Sequence, residues 1–151
     1  MTKLKKYRTS KNITQSQLED KTGILRQAIS RLESGDRSIN DASLDIAARL
    51  ATALDIHAED LLEYDLIIEI TDHGIHIAYD NKMPRSYLYT FDAAEEYLDE
   101  EFNDFDDMIK SIEIDITDDI HNRFPAASEE AQEKAINTIM NAFEDYMNTK
   151  W

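Results

Sequence analysis

The sequence predicts two domains of different class: an all-α domain of five helices over residues 1–64, then a small α+β domain, an antiparallel sheet with two helices, over residues 65–151. Three observations lead there. Apolar residues recur at helical spacing through the first half, with turn residues between them. From residue 66 the pattern changes to short β-branched and aromatic runs. Charge changes at the same place: residues 1–64 carry ten Lys/Arg and ten Asp/Glu, whereas residues 65–151 carry six and twenty-two, so the net charge of −16 lies wholly in the second half.

In the first half, Lys3 to Lys11 sets Leu4 and Tyr7 on one helical face, and Asn12-Ile13 interrupts it. Thr14 with Gln17 three residues on forms a capping box, opening a second helix from Gln15 to Thr22 with Leu18 inward and Gly23 at the turn beyond. Leu25 to Ser34 puts Ala28, Ile29 and Leu32 on one side and Arg26, Gln27, Ser30 and Arg31 on another, and Gly35 ends it. Asp41 opens a longer amphipathic helix with Leu44, Ala47, Ala48, Ala51 and Leu54 inward, and Ala58 to Tyr64 supplies a fifth.

In the second half, Leu66 to Ile70 and Ile75 to Tyr79 read as strands joined by a hairpin turn at Thr71-Asp72-His73-Gly74. Tyr87 to Phe91 reads as a third strand, after a loop from Asp80 to Arg85 that contains Pro84. Asp92 with Glu95 starts a helix carrying Ala94, Tyr97, Leu98 and Phe102 on one stripe. Ile112, Ile114 and Ile116 alternate with Glu113 and Asp115 and read as a strand, although Phe105, Met108, Ile109, Ile112 and Ile116 also satisfy helical spacing. Pro125 and Ser128 precede a long final helix, Glu129 to about Asn148, with Ile136, Ile139, Met140, Phe143 and Met147 as its apolar face.

Composition excludes several classes. The absence of cysteine removes disulfides, thiol chemistry and Cys-based zinc sites. No 18-residue apolar run and no secretory signal are present, so a cytosolic protein with no membrane partner is expected. No enzyme signature and no cofactor motif occurs. His73 and His76 flank a hairpin turn with Asp72 and Asp80 nearby, but strand alternation points them to different faces, and the Asp104, Asp106, Asp107 cluster lacks the Gly and terminal Glu of a calcium loop. His57 and His121 are expected to be exposed. No metal is predicted.

A strongly acidic chain is a poor partner for phosphate backbones unless its charge is segregated. Here it is. The first 31 residues hold eight basic groups (Lys3, Lys5, Lys6, Arg8, Lys11, Lys21, Arg26, Arg31) against Glu19 and Asp20. The ordered set Thr14-Gln15-x-x-Leu18, Gly23-Ile24 and Ile29-Ser30-x-x-Glu33-x-Gly35 resembles the Cro and lambda-repressor-like helix-turn-helix family, also called XRE-type, over about 60 residues. The resemblance implies a recognition helix at Arg26 to Ser34 whose N-terminal side chains meet base edges in the major groove of double-stranded DNA. By that reading Arg26, Gln27 and Arg31 contact bases, with Ser30 a lesser candidate, and Gln15 and Arg37 contact phosphate. Arg8 and Glu33 match an ion pair that ties the first helix to the third, and so belong to the scaffold.

The chain departs from the family pattern at four places. Glu19 stands where a small residue follows the leucine of the second helix. Leu25 replaces the Ser or Thr that begins the recognition helix, leaving it without a side-chain N-cap at a cost of about 1 kcal/mol, although a leucine there could touch a thymine methyl group. Asp55 replaces a common glycine, and the proline often found before the fourth helix is missing.

The second half holds no recognised motif. Eight of the thirteen residues from Glu95 to Asp107 are acidic, a solvated helix face or a surface for a basic protein. Two functions follow. The first is a sequence-specific regulator, a repressor of phage, plasmid or bacterial type, working as a homodimer with the final helix (Phe143, Tyr146, Met147) as interface. The second is an autorepressor whose acidic domain blocks a basic nucleic-acid-handling protein, as an antitoxin or an anti-defence inhibitor of a guided nuclease would.

Overall fold

Among the described residues, six of seven α-helices begin on a short polar side chain that accepts a hydrogen bond from the first turn, and these caps divide the chain into its elements. Thr2 opens α1 (Lys3–Ser10), Thr14 opens α2 (Gln15–Thr22) and Ser43 opens α4 (Leu44–Leu54). Thr90 opens α5 (Phe91–Glu95), Asp104 opens α6 (Phe105–Arg123) and Ser128 opens α7 (Glu129–Asn148). Helix α3 (Arg26–Ser34) lacks a cap of its own, because Leu25 precedes it. The computed structural model describes residues 1–80 and 84–151, in two compact units, Met1–Tyr64 and Asp65–Trp151. Residues 81–83 of the predicted loop lie outside the described residues.

The first unit closes around Leu4, Leu18, Ile29, Leu32, Leu50, Leu54 and Leu61, all buried. It is built from four α-helices rather than five. The predicted fifth is a single 3₁₀ turn, Ala58–Leu61, which anchors Leu61 and then passes into extended backbone at Leu62. The Asn40 side-chain oxygen takes the Glu63 N–H at 2.8 Å, the donor a continuing helix would have used internally. Asp41 likewise closes a 3₁₀ turn, Ile39–Asp41, instead of opening α4, so Leu44 falls in the first turn and is 81% exposed. Asp55 adopts φ 55°, the left-handed conformation for which glycine is the usual choice.

The second unit pairs β1 (Leu66–Thr71), β2 (Gly74–Tyr79) and β3 (Ser86–Thr90) into an antiparallel sheet in sequence order. The hairpin turn is Asp72-His73, and Gly74 is required beyond it. Its φ is 152°, and an added Cβ would lie 2.0 Å from the Tyr89 carbonyl oxygen. Ile75, Ile77, Tyr79 and Tyr89 are buried on one face of the sheet, and Met108, Ile112, Ile120, Phe124, Ile139 and Phe143 complete the core of this unit.

Three expectations are corrected here. The predicted strand 112–116 is the middle of the 19-residue α6, where Met108, Ile112, Ile116 and Ile120 form a buried i, i+4 stripe and Ile114 is left 64% exposed. The predicted helix from Asp92 to Phe102 starts earlier, on the Thr90 cap, and ends after one short helix and a 3₁₀ turn at Asp99. Like charges at Glu95/Asp99 and Glu96/Glu100, each four residues apart, work against its continuation. Finally, Phe143 and Met147 are buried within the unit and Tyr146 stacks on Phe91 at 4.6 Å, so this face of α7 is filled internally rather than left for a partner.

The acidic run also has structural work. Asp104 caps α6, Asp106 and Asp107 lie in its first turn where they complement the helix dipole, and Glu95 accepts from the Tyr146 hydroxyl and pairs with Lys150 at 3.6 Å. Among the described residues no helix is long and apolar enough to cross a membrane.

Candidate nucleic-acid interface

The Thr14 capping box fixes where α2 starts, and Gly23, at φ 73°, turns the chain sharply after it. Helix α3 is thereby laid across the first unit with Ile29, Leu32 and Glu33 buried. Arg26, Gln27, Ser30 and Arg31 fall at i, i+1, i+4 and i+5, on one exposed stripe. The structure therefore brings together all four residues assigned to base contacts. Leu25, 69% exposed, stands at the N-terminal end of the same stripe.

The two residues assigned to phosphate are placed differently. Arg37 is exposed in the loop after α3, where its amide donates to the Arg31 carbonyl at 3.2 Å. Gln15 is half-buried, and its amide nitrogen donates to Glu33 at 3.3 Å. It is thus oriented by the scaffold, within a shallow depression it shares with Arg8, Ser16 and Arg26.

That scaffold is the Arg8–Glu33 pair. Arg8 Nε lies 2.9 Å and Nη2 2.8 Å from the Glu33 carboxylate, and Nη1 donates to the Ile13 carbonyl at 2.7 Å. Glu33 is 3% exposed in its side chain and Arg8 11%, and hydrogen bonding to Glu33 raises the guanidinium above its ordinary value. No buried side-chain polar atom among the described residues lacks a partner. Arg8 is therefore consumed by structure. So is Lys3, buried at the start of α1 where its amide donates to Glu63, and the predicted basic face reduces to Lys5, Lys6, Lys11, Lys21, Arg26 and Arg31. Arg49, which the sequence reading did not single out, donates to the Thr22 carbonyl at 3.2 Å and ties α4 to the end of α2.

The structure also explains two of the departures as one. The Glu19 carboxylate, on α2, accepts a hydrogen bond from the Arg26 backbone N–H. It supplies from a neighbouring helix the acceptor that Leu25 cannot, and a negative charge at the N-terminus of α3 is electrostatically favourable. The signal was in the sequence: an acid where the family has a small residue, and an uncapped helix seven residues later.

His73 is exposed in the hairpin turn and His76 lies on β2 opposite Glu69, and no group of three or more potential ligands that could hold a metal occurs among the described residues. His57 and His121 are exposed.

A short capped helix, a glycine turn and a second helix presenting a polar, basic stripe over an apolar underside define a helix-turn-helix DNA-binding unit. Residues 4–61 match the family model described as Helix-turn-helix, that of the XRE-type, Cro and lambda-repressor-like DNA-binding transcription regulators. No curated protein and no solved structure matches the chain.

Proposed function

We propose that the protein is a sequence-specific repressor that binds its operator as a homodimer, reading bases with Arg26, Gln27 and Arg31, with Ser30 beside them, and gripping phosphate with Gln15 and Arg37. The observation that carries this reading is the exposure of Arg26, Gln27, Ser30 and Arg31 on one stripe of a helix whose opposite side is locked into the core. Arg suits the O6/N7 edge of guanine and Gln the N6/N7 edge of adenine. A single recognition helix reads only a few base pairs, so two copies on half-sites about one helical turn apart give the required discrimination.

Changing Arg26, Gln27 and Arg31 together to Ala removes up to three contacts of roughly 1–3 kcal/mol each, at least about a hundredfold in operator affinity. The test is footprinting on the DNA next to the gene, with circular dichroism to show the fold intact. An unchanged footprint refutes the assignment. A second reading rests on the confinement of the −16 charge to residues 65–151: the acidic unit neutralises a basic nucleic-acid-handling protein while the first unit represses its own promoter. A full-length protein that captures no basic partner from its native host at low salt removes it.

A further inference from the structure

The second unit contains a cavity of about 260 Å³ that the DNA-binding reading leaves without a purpose. It opens between β3, the segment after α5, and α6. Its floor is apolar, formed by Ile112 and Ile116 of α6 and Phe143 of α7. Its walls and rim are of another kind: Tyr87, Tyr89 and Tyr97 stand around it, interleaved with Glu96, Asp115 and Asp119.

The aromatic rings are held. The Tyr89 hydroxyl donates to Asp119 at 2.6 Å, and the Tyr97 hydroxyl donates to Asp115. Each bond fixes a ring and leaves electron density on the phenol, so the negative faces of the rings are presented in set directions. The unit already seats one cation on this arrangement. The guanidinium carbon of Arg123 lies 3.5 Å from the centre of the Tyr87 ring, and its Nε donates to Asp119 at 2.7 Å. Arg123 offsets one of the three carboxylates. Asp115 and Glu96, both exposed, have no ion-pair partner among the described residues.

We infer that this cavity binds a small organic cation, a substituted ammonium carrying an aromatic or branched apolar group. The ammonium sits against Tyr89 and Tyr97 beside Asp115 and Glu96, and the apolar part rests on Ile112, Ile116 and Phe143. Aromatic faces with adjacent carboxylates recognise such cations because they replace its hydration shell with fixed negative potential. An anion meets like charge, a neutral hydrocarbon gains only the floor, and a bare metal ion gains only the rim. The volume lies just below the range of about 300–1,000 Å³ of typical ligand cavities, which restricts the ligand to small amines. The site belongs to the second unit alone and stands whatever the first unit binds.

The test is a titration of the full-length, ¹⁵N-labelled protein with benzyltrimethylammonium, at a fixed ionic strength of about 0.15 M so that diffuse attraction to the acidic surface is screened. Benzyl alcohol and benzoate serve as its neutral and anionic counterparts. Saturable shifts confined to the neighbourhood of Tyr89, Tyr97, Ile112 and Ile116 are expected, with benzyl alcohol at least tenfold weaker and benzoate without effect. Glu96→Gln combined with Asp115→Asn removes two charges from exposed positions while Asn keeps an acceptor for Tyr97, and it should weaken the cation at least tenfold and leave benzyl alcohol unchanged. Absence of binding, equal affinity for benzyl alcohol, shifts spread over the acidic surface, or wild-type affinity in the double variant each overturns the assignment.

Discussion

Glu19→Ala removes the side-chain acceptor that the structure supplies to the first N–H of α3. Loss of an N-terminal cap costs about 0.5–2 kcal/mol, and loss of the carboxylate beside a helix N-terminus a further 0.3–1 kcal/mol or so. Because Glu19 is half-buried, the sum should lie near the middle, about 1–2 kcal/mol. For a unit of this size each kcal/mol moves the midpoint by about 4–8 °C, so the first unit should melt about 4–16 °C lower. Thermal unfolding followed by far-UV circular dichroism reports both units, whereas fluorescence of the single tryptophan, Trp151, reports the second, so the displaced transition is the one fluorescence does not see. Leu25→Ser in the Glu19→Ala background supplies an acceptor at a position already extended, φ −58° and ψ 138°, and loses little burial because Leu25 is 69% exposed. It should recover about 1 kcal/mol. Glu19→Gln keeps an acceptor and drops the charge, so its loss should fall between zero and that of Ala, while removal of a negative charge beside Arg26 leaves DNA affinity equal or higher. A Glu19→Ala protein as stable as the parent, or one that Leu25→Ser fails to rescue, refutes the cap.

Other outcomes follow from the same geometry. Arg8→Ala leaves the buried Glu33 carboxylate with only the Gln15 amide at 3.3 Å, and should cost the first unit about 3–5 kcal/mol in urea unfolding, whereas replacing both partners by apolar residues (Arg8→Met with Glu33→Leu) recovers most of it. Gly74→Ala cannot be accommodated against Tyr89 at φ 152°, and should destabilise the second unit by more than about 3 kcal/mol, lowering the Trp151 transition and leaving the first unit unchanged. Tyr89 and Tyr97 are held above the ordinary tyrosine range, first by burial and then by their bonds to Asp119 and Asp115. Since the folded state holds these protons more tightly than the unfolded chain, their stabilisation is complete below about pH 10 and is lost as pH rises beyond it. Ultraviolet titration should show these two ionising above the ordinary tyrosine range, together with loss of the second unit.

The two halves were legible to different degrees for a physical reason. In the first, Thr14, Gly23 and Gly35 punctuate the chain locally, and each does what its chemistry requires, a cap and two left-handed turns. In the second, the alternation Ile112, Ile114, Ile116 is a local β signal, but α6 is decided by contacts four residues apart over its whole length and by the Asp104 cap. Read over 19 residues, Met108, Ile112, Ile116 and Ile120 outweigh the propensity of three isoleucines, since burial of a stripe contributes several kcal/mol and β-branching opposes a helix by only a few tenths per residue. The loss of a helical fifth segment has the same origin. Ala58 to Tyr64 has helical character by itself, but Asn40, 23 residues away, takes the N–H of Glu63.

At the interface, the exposed stripe of α3 could be read from spacing, while the division of the basic residues between scaffold and surface could not. Lys3 and Lys5 differ by two positions in one helix, and only the packing of α1 decides that Lys3 is buried and Lys5 faces water. The same packing changes how Glu19 and Leu25 are understood. Taken singly each is a defect, an acid among contacts to phosphate and an apolar residue at a cap. Together they exchange a cap made within α3 for one made from α2, which couples the two helices of the motif directly and frees the Leu25 side chain to stand exposed beside Arg26. An apolar group in that position can meet a thymine methyl, which a serine committed to capping could not do as well. Leu25→Ser in the otherwise native protein should therefore leave stability equal or higher and yet weaken operator binding at one base pair, detectable as relaxed preference for thymine there; unchanged preference would mean that the exchange serves the coupling of α2 to α3 alone.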